Sequence, residues 1–323
     1  MKGKTTPAAT LLRPILDTYM DAAVALVGCT SRGIGRYSCE YDVLVVTQEK
    51  PPPTTLKVGD EYVDVIFTTE KEILKPANPE HAVSLAYAQP VRDTSLILST
   101  SSATNTATVS ESARKASRTR LSSSLKTLGR AEEALNKKDL VDADFWLLAS
   151  SYEFAYSWLL SKEMLPSPSH LLSQLREARG GPSSFEGFSF GAGLDAASRA
   201  GCGARLEGVT VLHDLLRERS KAASGDSKWP PARTGLLTAK TEELMTRIEL
   251  AECYSFLGQE LVDDVIALLK LHPKKTLAGL TSGEGRLLGE RLVRQLGVAR
   301  PEAALRTGID SLRGQVSSLA KRA

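Results

Sequence analysis

Residues 28–46 read Gly28-Cys29-Thr30-Ser31-Arg32-Gly33-Ile34-Gly35-Arg36-Tyr37-Ser38-Cys39-Glu40-Tyr41-Asp42-Val43-Leu44-Val45-Val46. The apolar run 23–27 in front of this stretch predicts a buried strand, and the β-branched run 43–46 at its end predicts a second. Between them lies a glycine-rich turn. Gly28 and Gly33 let backbone N–H groups approach a phosphate closely, and a helix starting there adds its positive end. Cys29, Thr30 and Ser31 place side chains at the same turn, and Arg32 or Arg36 adds charge. Side chains alternate along a strand, so Glu40 and Asp42 share one face and Tyr41 points to the other. Two carboxylates on one strand face repel each other and lose hydration. A solvated edge or a bound divalent cation relieves that cost.

Working outward, Pro51-Pro52-Pro53 ends the second strand and a polar loop follows to Asp60. The run 62–67 predicts a third strand that carries Asp64, with Val63 and Val65 on its opposite face. If the second and third strands pair, Glu40, Asp42 and Asp64 converge. Hard oxygen ligands of this kind suit Mg²⁺ or Mn²⁺. Leu11, Leu12, Ile15, Leu16 and Tyr19 recur at helical spacing, and the run 95–98 reads as a fourth strand that Asp93 precedes in a turn. Residues 99–106 hold no large apolar side chain and read as a linker.

Beyond 106 the strand pattern vanishes. Helices fit 108–136, 139–163, 203–223, 236–271, 284–297 and 301–321. Ser167-Pro168 reads as a helix start, Gly180-Gly181-Pro182 as a stop, and 182–193 and 224–235 as Gly/Pro/Ser-rich breaks. The expected architecture is α+β: a small mixed-sheet domain over 1–98, the linker, and an all-α region over 107–323 that breaks near 180–193.

The composition narrows the function. Of 323 residues, 42% are hydrophobic and 24% charged, as in ordinary folded proteins, which excludes global disorder. A net charge of +3 is too small for a dedicated polyanion binder. No stretch approaches the roughly 18 apolar residues of a membrane span. Arg13, Pro14 and Asp17 interrupt the N-terminal apolar segment, which is a poor signal peptide. Cys29, Cys39, Cys202 and Cys253 are scattered, which suits free thiols in a reducing compartment and predicts a cytoplasmic protein without membrane partners.

Two glycine motifs fail here. A P-loop needs Gly-Lys-Ser/Thr at its end, whereas Gly33 is followed by Ile34-Gly35, and the dinucleotide pattern G-x-G-x-x-G is absent. Residues 28–46 instead resemble the signature of the DNA polymerase β-type nucleotidyltransferase superfamily. The likeness is to its minimal and kanamycin-nucleotidyltransferase-like branch, G-S-x-A-R-G-x-A-x-x-x-S-D-x-D-hydrophobic. Gly28, Arg32, Gly33, Asp42 and Val43 match, Glu40 stands at the first aspartate, and Asp64 fits the third carboxylate. Cys29 and Cys39 both stand where the family carries serine, and a thiol is the weaker hydrogen-bond donor. Helical domains often follow the catalytic domain in that family.

The resemblance implies transfer of an NMP, AMP foremost, from ATP or another NTP to an acceptor hydroxyl on a small molecule, a protein or an RNA end. Glu40 and Asp42 would bind Mg²⁺ or Mn²⁺, and Asp64 would bind metal or act as general base. Gly28, Cys29, Arg32 and Gly33 would hold the phosphates. The helical region would shape the acceptor pocket, alone or across a homodimer. Cys29 and Glu40 motivate the alternative, a degenerate fold that binds a nucleotide or a partner without turnover. The basic run Arg114, Lys115, Arg118, Arg120, Lys126, Arg130 reads as a solvated helix face, and Trp146, Tyr152, Phe154, Tyr156 and Trp158 as interhelix packing. The four histidines lie far apart, and none pairs with cysteine at zinc spacing.

Overall fold

The β-branched runs do form strands, and they assemble into one sheet. The computed structural model describes residues 8–35, 39–178, 181–224, 229–271, 276–280 and 286–322; Arg36, Tyr37, Ser38 and Gly180, named above, lie outside them. In chain order the first elements are α1 (Ala8–Thr18), β1 (Val24–Val27), α2 (Gly28–Ser31), β2 (Tyr41–Val46), β3 (Thr54–Val58), β4 (Glu61–Thr68), α3 (Glu70–Leu74), α4 (Pro79–Ala86), β5 (Gln89–Arg92) and α5 (Ile97–Ala107). There follow α6 (Val109–Asn136), α7 (Leu140–Ser161), α8 (Leu171–Glu177), α9 (Gly181–Gly191), α10 (Arg199–Ser224), α11 (Pro231–Thr246), α12 (Leu250–Leu271), α13 (Leu277–Leu280), α14 (Arg286–Leu296) and α15 (Glu302–Ala320). The class is α+β.

The chain divides into two compact units. One holds Met1–Ala113 with Arg217–Glu243, and the other Arg114–Leu216 with Leu244–Ala323. The first unit thus takes in a segment from the region expected as the helical domain over 107–323, including most of α11.

In the first unit the sheet order is β3-β4-β2-β1-β5. β2 and β4 are parallel, and every other neighbouring pair is antiparallel. Alternation sorts the side chains by face. Tyr41, Val43, Val45, Val63, Val65 and Phe67 pack with Leu11, Leu12 and Ile15 of α1. Ala25, Val27 and Leu44 pack on the opposite side with Ile73, Leu85, Ile97 and Leu98 of α3, α4 and α5. Each buried Val or Leu stabilises this sandwich by about 1.5–3 kcal/mol relative to exposure. Asp42 and Asp64 fall on the second face, Asp42 at the start of β2 and Asp64 midway along β4.

Several elements differ from the sequence expectation. The expected polar loop before Asp60 contains β3, which forms a hairpin with β4 through Gly59 at φ +63°. The end of the expected strand 95–98 and the whole expected linker 99–106 are instead in the helix α5, which begins at Ile97. The Asp93 carboxylate accepts from the backbone N–H of Leu98 (3.1 Å) and Ser99 (2.7 Å) and caps it. Ser101 Oγ donates to the Ile73 carbonyl at 2.9 Å, and Asn105 Nδ2 donates to the Ser101 carbonyl at 2.9 Å, so the two buried polar side chains of this run have partners. The expected break 182–193 holds α9, whose Phe188 is fully buried against Tyr152 with ring centroids 5.4 Å apart. Burial there overrides weak helix propensity. The expected helix 236–271 is two helices, α11 and α12, parted at Ile248 with φ 63°.

In the second unit α6 and α7 meet through paired serines. Ser117 Oγ lies 3.1 Å from Ser157 Oγ, and Ser124 Oγ lies 3.0 Å from Ser150 Oγ. Small side chains let the two helices approach, and each hydroxyl is satisfied. Part of the basic run serves this packing: Arg120 pairs with Glu153 at 3.1 Å, and the Arg130 guanidinium stacks 4.6 Å from the Trp146 ring. The five aromatic residues of α7 named above are all buried. The four cysteines are free and buried. Among the described residues, no helix is long and apolar enough to cross a membrane.

Candidate active site

The acidic cluster is built by strand register. Asp42 is the direct partner of Asp64 across the parallel β2–β4 pair, and Thr55 of β3 is the partner of Asp64 on its other side. Neighbouring strands lie about 4.7–4.9 Å apart, so this register alone makes the two carboxylates neighbours. Glu40 sits two residues ahead of Asp42 and extends from the same face. One carboxylate oxygen from each of Glu40, Asp42 and Asp64 lies within 4.8 Å of the other two. All three are partly buried.

The glycine turn abuts this cluster. Gly28 has φ +72°, and a Cβ built there would stand 1.9 Å from Asp42 Oδ2. Only glycine permits this approach. Gly33 also takes a positive φ, +70°, but faces open space. The helix expected behind the turn is the single turn α2, too short to contribute much dipole. Ser31 Oγ and Arg32 Nε both donate to the Gly28 carbonyl, at 3.1 and 3.2 Å, and Gln89 Nε2 donates to the Ser31 carbonyl at 2.6 Å. These bonds hold the turn against β1 and β5. Thr30 Oγ1 donates to the Glu40 carbonyl at 3.4 Å and ties the turn to the start of β2. Cys29 and Cys39, the two serine positions of the resemblance, place their sulfur atoms within 4.8 Å of each other.

Two cations that the sequence reading missed complete the site. Lys240 of α11, only 5% exposed, forms an ion pair through Nζ with Glu40 Oε2. Arg233 Nη1 lies 3.7 Å from Asp64 Oδ2. Asp64 Oδ1 also accepts from Thr55 Oγ1 at 2.6 Å. One signal for Lys240 was present in the sequence: it shares a helical stripe with Leu237 and Leu244, both buried. A lysine on an apolar stripe needs a buried counter-ion.

The acids titrate apart. Burial opposes ionisation of Glu40, but the Lys240 ammonium outweighs it and holds the carboxyl below its ordinary value. Burial, and then the Glu40 charge, push Asp42 well above the ordinary carboxylate value. The same two causes raise Asp64. For Lys240, burial favours the neutral amine, yet the Glu40 carboxylate more than offsets it and raises the lysine. Three carboxylates thus share too little water and too little positive charge. Their spacing and hard oxygen donors fit a divalent cation such as Mg²⁺ or Mn²⁺.

A substitution tests the turn. Gly28→Ala is expected to cost about 1–3 kcal/mol, from the positive φ together with the displaced Asp42 carboxylate. Urea unfolding measures the loss, and an unchanged midpoint contradicts the packing described.

No family model matches the chain, and no curated protein matches it. Among solved structures, it is similar to a nucleotidyltransferase-like protein from Exiguobacterium sibiricum. The TM-score is 0.35 and the identity 12%, over 89% of this chain and 86% of that one.

Proposed function

We propose that this chain is a metal-dependent nucleotidyltransferase that moves an NMP, AMP foremost, from an NTP to an acceptor hydroxyl. The observation that carries this reading is the convergence of Glu40, Asp42 and Asp64 within 4.8 Å beside the positive-φ Gly28. Glu40, Asp42 and Asp64 would hold Mg²⁺ or Mn²⁺, which when bound supplies Lewis-acid polarisation of the phosphoryl oxygens.

The chain's own residues do the rest. The open Gly28–Gly33 turn, with Cys29 and Arg32, receives the phosphate tail. Arg233 and Lys240 place positive charge beside the acids, where negative charge gathers as pyrophosphate departs. Asp64 has an alternative role, as general base in place of metal ligand: the Thr55 hydrogen bond fixes its orientation beside the cluster. In this scheme the acceptor oxygen bonds to the α-phosphorus as its proton passes to the Asp64 carboxylate. The bond from the α-phosphorus to the bridging oxygen breaks, and pyrophosphate leaves.

One observation favours the second reading, a nucleotide-binding module without turnover. Lys240 already neutralises Glu40, a position that turnover requires for metal. Incubation with Mg²⁺, α-labelled ATP, the other three NTPs in turn, and panels of aminoglycosides, proteins and RNA ends separates the two. Covalent transfer of label with release of pyrophosphate is expected. Saturable nucleotide binding with no transfer to any acceptor supports the binding module instead.

A further inference from the structure

The Lys240 ion pair is built into the fold. Arg233 and Lys240 are seven residues apart on α11, two helical turns, and so lie on one face. Gly235 sits between them, and a Cβ there would stand 2.9 Å from Tyr62 Oη, so this face of α11 meets the tip of the Tyr62 side chain, which leaves β4 two residues from Asp64. That approach aims both cations at the acids. Lys240 is buried, so its ammonium has given up nearly all of its water in exchange for Glu40. Glu40 in turn is one methylene longer than the aspartate of the resembling signature, and its carboxylate reaches a lysine delivered from another element. The cluster therefore contains three acids and two tethered cations. A dication entering it must draw on the same Glu40 carboxylate and must tolerate an ammonium at contact distance from that carboxylate. Like charges at such range, shielded from solvent, repel strongly.

We propose that Lys240 is a tethered counter-cation that competes with the divalent metal for Glu40 and so sets the metal affinity of the acidic site. This rests on the metal-dependent reading above. In the metal-free protein Lys240 stabilises the acids. When metal binds, Lys240 is released from Glu40. Occupancy of the site thereby becomes coupled to the position of the Lys240 side chain on α11, and the protein holds metal less tightly than its three carboxylates alone would.

Direct titration of the full chain with Mn²⁺, read by the electron paramagnetic resonance signal of free Mn²⁺, tests this without any activity assay. Lys240→Met is expected to bind Mn²⁺ at least about tenfold more tightly than wild type, because a cation is removed and the volume is largely kept. Its thermal midpoint without metal is expected to fall, and to recover on Mn²⁺ addition by more than that of wild type. Lys240→Arg keeps the charge and is expected to bind within about threefold of wild type. Should Lys240→Met fail to fold, the wild-type protein carries the test. Acetic anhydride labelling of Lys240, mapped by mass spectrometry, is expected to rise severalfold at saturating Mn²⁺.

The outcomes are distinct. If wild type binds Mn²⁺ and folded Lys240→Met binds no more tightly, the competition is wrong and the metal site stands. In the wild-type test, Mn²⁺ binding with unchanged Lys240 labelling has the same meaning. If neither protein binds Mn²⁺ at millimolar concentration, the metal-dependent reading falls and takes the competition with it. Tight binding by Lys240→Met with none by wild type supports the competition and points to the binding module as the native state.

Discussion

Asp42→Asn is expected to lower the proposed nucleotidyl transfer by about 10³-fold or more, the scale of losing a ligand to the proposed metal worth several kcal/mol of transition-state stabilisation. The substitution isolates charge from shape. Asn has the outline of Asp, so the contact with Gly28 survives, and the register partner Asp64 keeps its neighbour. Only the negative charge goes. In the metal-free protein that charge is unfavourable, since burial and Glu40 both resist it. The neutral amide therefore removes a repulsion, and the urea midpoint measured in a chelator is expected to stay level or rise. Loss of transfer with intact or improved stability is the signature of a functional carboxylate held at a cost to folding. Transfer within tenfold of wild type would remove Asp42 from the chemistry. A collapsed midpoint would show it to be structural.

Asp144→Ala is expected to destabilise the helical unit by about 3–5 kcal/mol, the usual cost of stripping one partner from a buried ion pair. Asp144 on α7 is fully buried. It accepts from the backbone N–H of Arg300 at 2.8 Å through one oxygen and from Arg300 Nε at 2.8 Å through the other. The same guanidinium donates to the Gly191 carbonyl at 3.1 Å, stacks 5.1 Å from the Phe190 ring, and is 21% exposed. Asp144 and Arg300 together thus join α7, the end of α9 and the segment just before α15. Without the carboxylate the guanidinium remains between the helices with carbonyl partners only. The double variant Asp144→Ala/Arg300→Met leaves no orphaned charge and is expected to lose less than the two single variants summed. Urea unfolding followed by tryptophan fluorescence reports on Trp146, two residues away on the same helix. A loss under 1 kcal/mol for Asp144→Ala would mean that the pair is largely solvent-screened.

What could be read in advance followed from local rules. The period-2 alternation around residues 40–46 and 62–67 made two strands and put Tyr41, Val43, Val45, Val63 and Val65 on one face, opposite Asp42 and Asp64. The glycine turn between the first two strands was legible as well, although the positive φ of Gly28 and Gly33 is seen only in the structure. Each of these depends on sterics within a few residues, and a sequence displays them directly. The Ser/Thr run 99–106 was misread for the complementary reason. Its composition resembles a linker, but the partner of its buried Ser101, the carbonyl of Ile73, is supplied by the chain folded around it.

By itself, then, the sequence determined the strand-turn-strand unit, the face that its acids occupy and the helical character of the remainder. The tertiary structure alone decided that β2 and β4 pair in parallel with Asp42 opposite Asp64, a register that any shift of one residue would destroy. It also decided that Lys240, two hundred positions along the chain, lies against Glu40. The physical reason is the range of the forces. Backbone sterics and side-chain periodicity act over a turn or a pleat. A contact between residues 40 and 240 is the result of all the packing in the first unit and has no local cause.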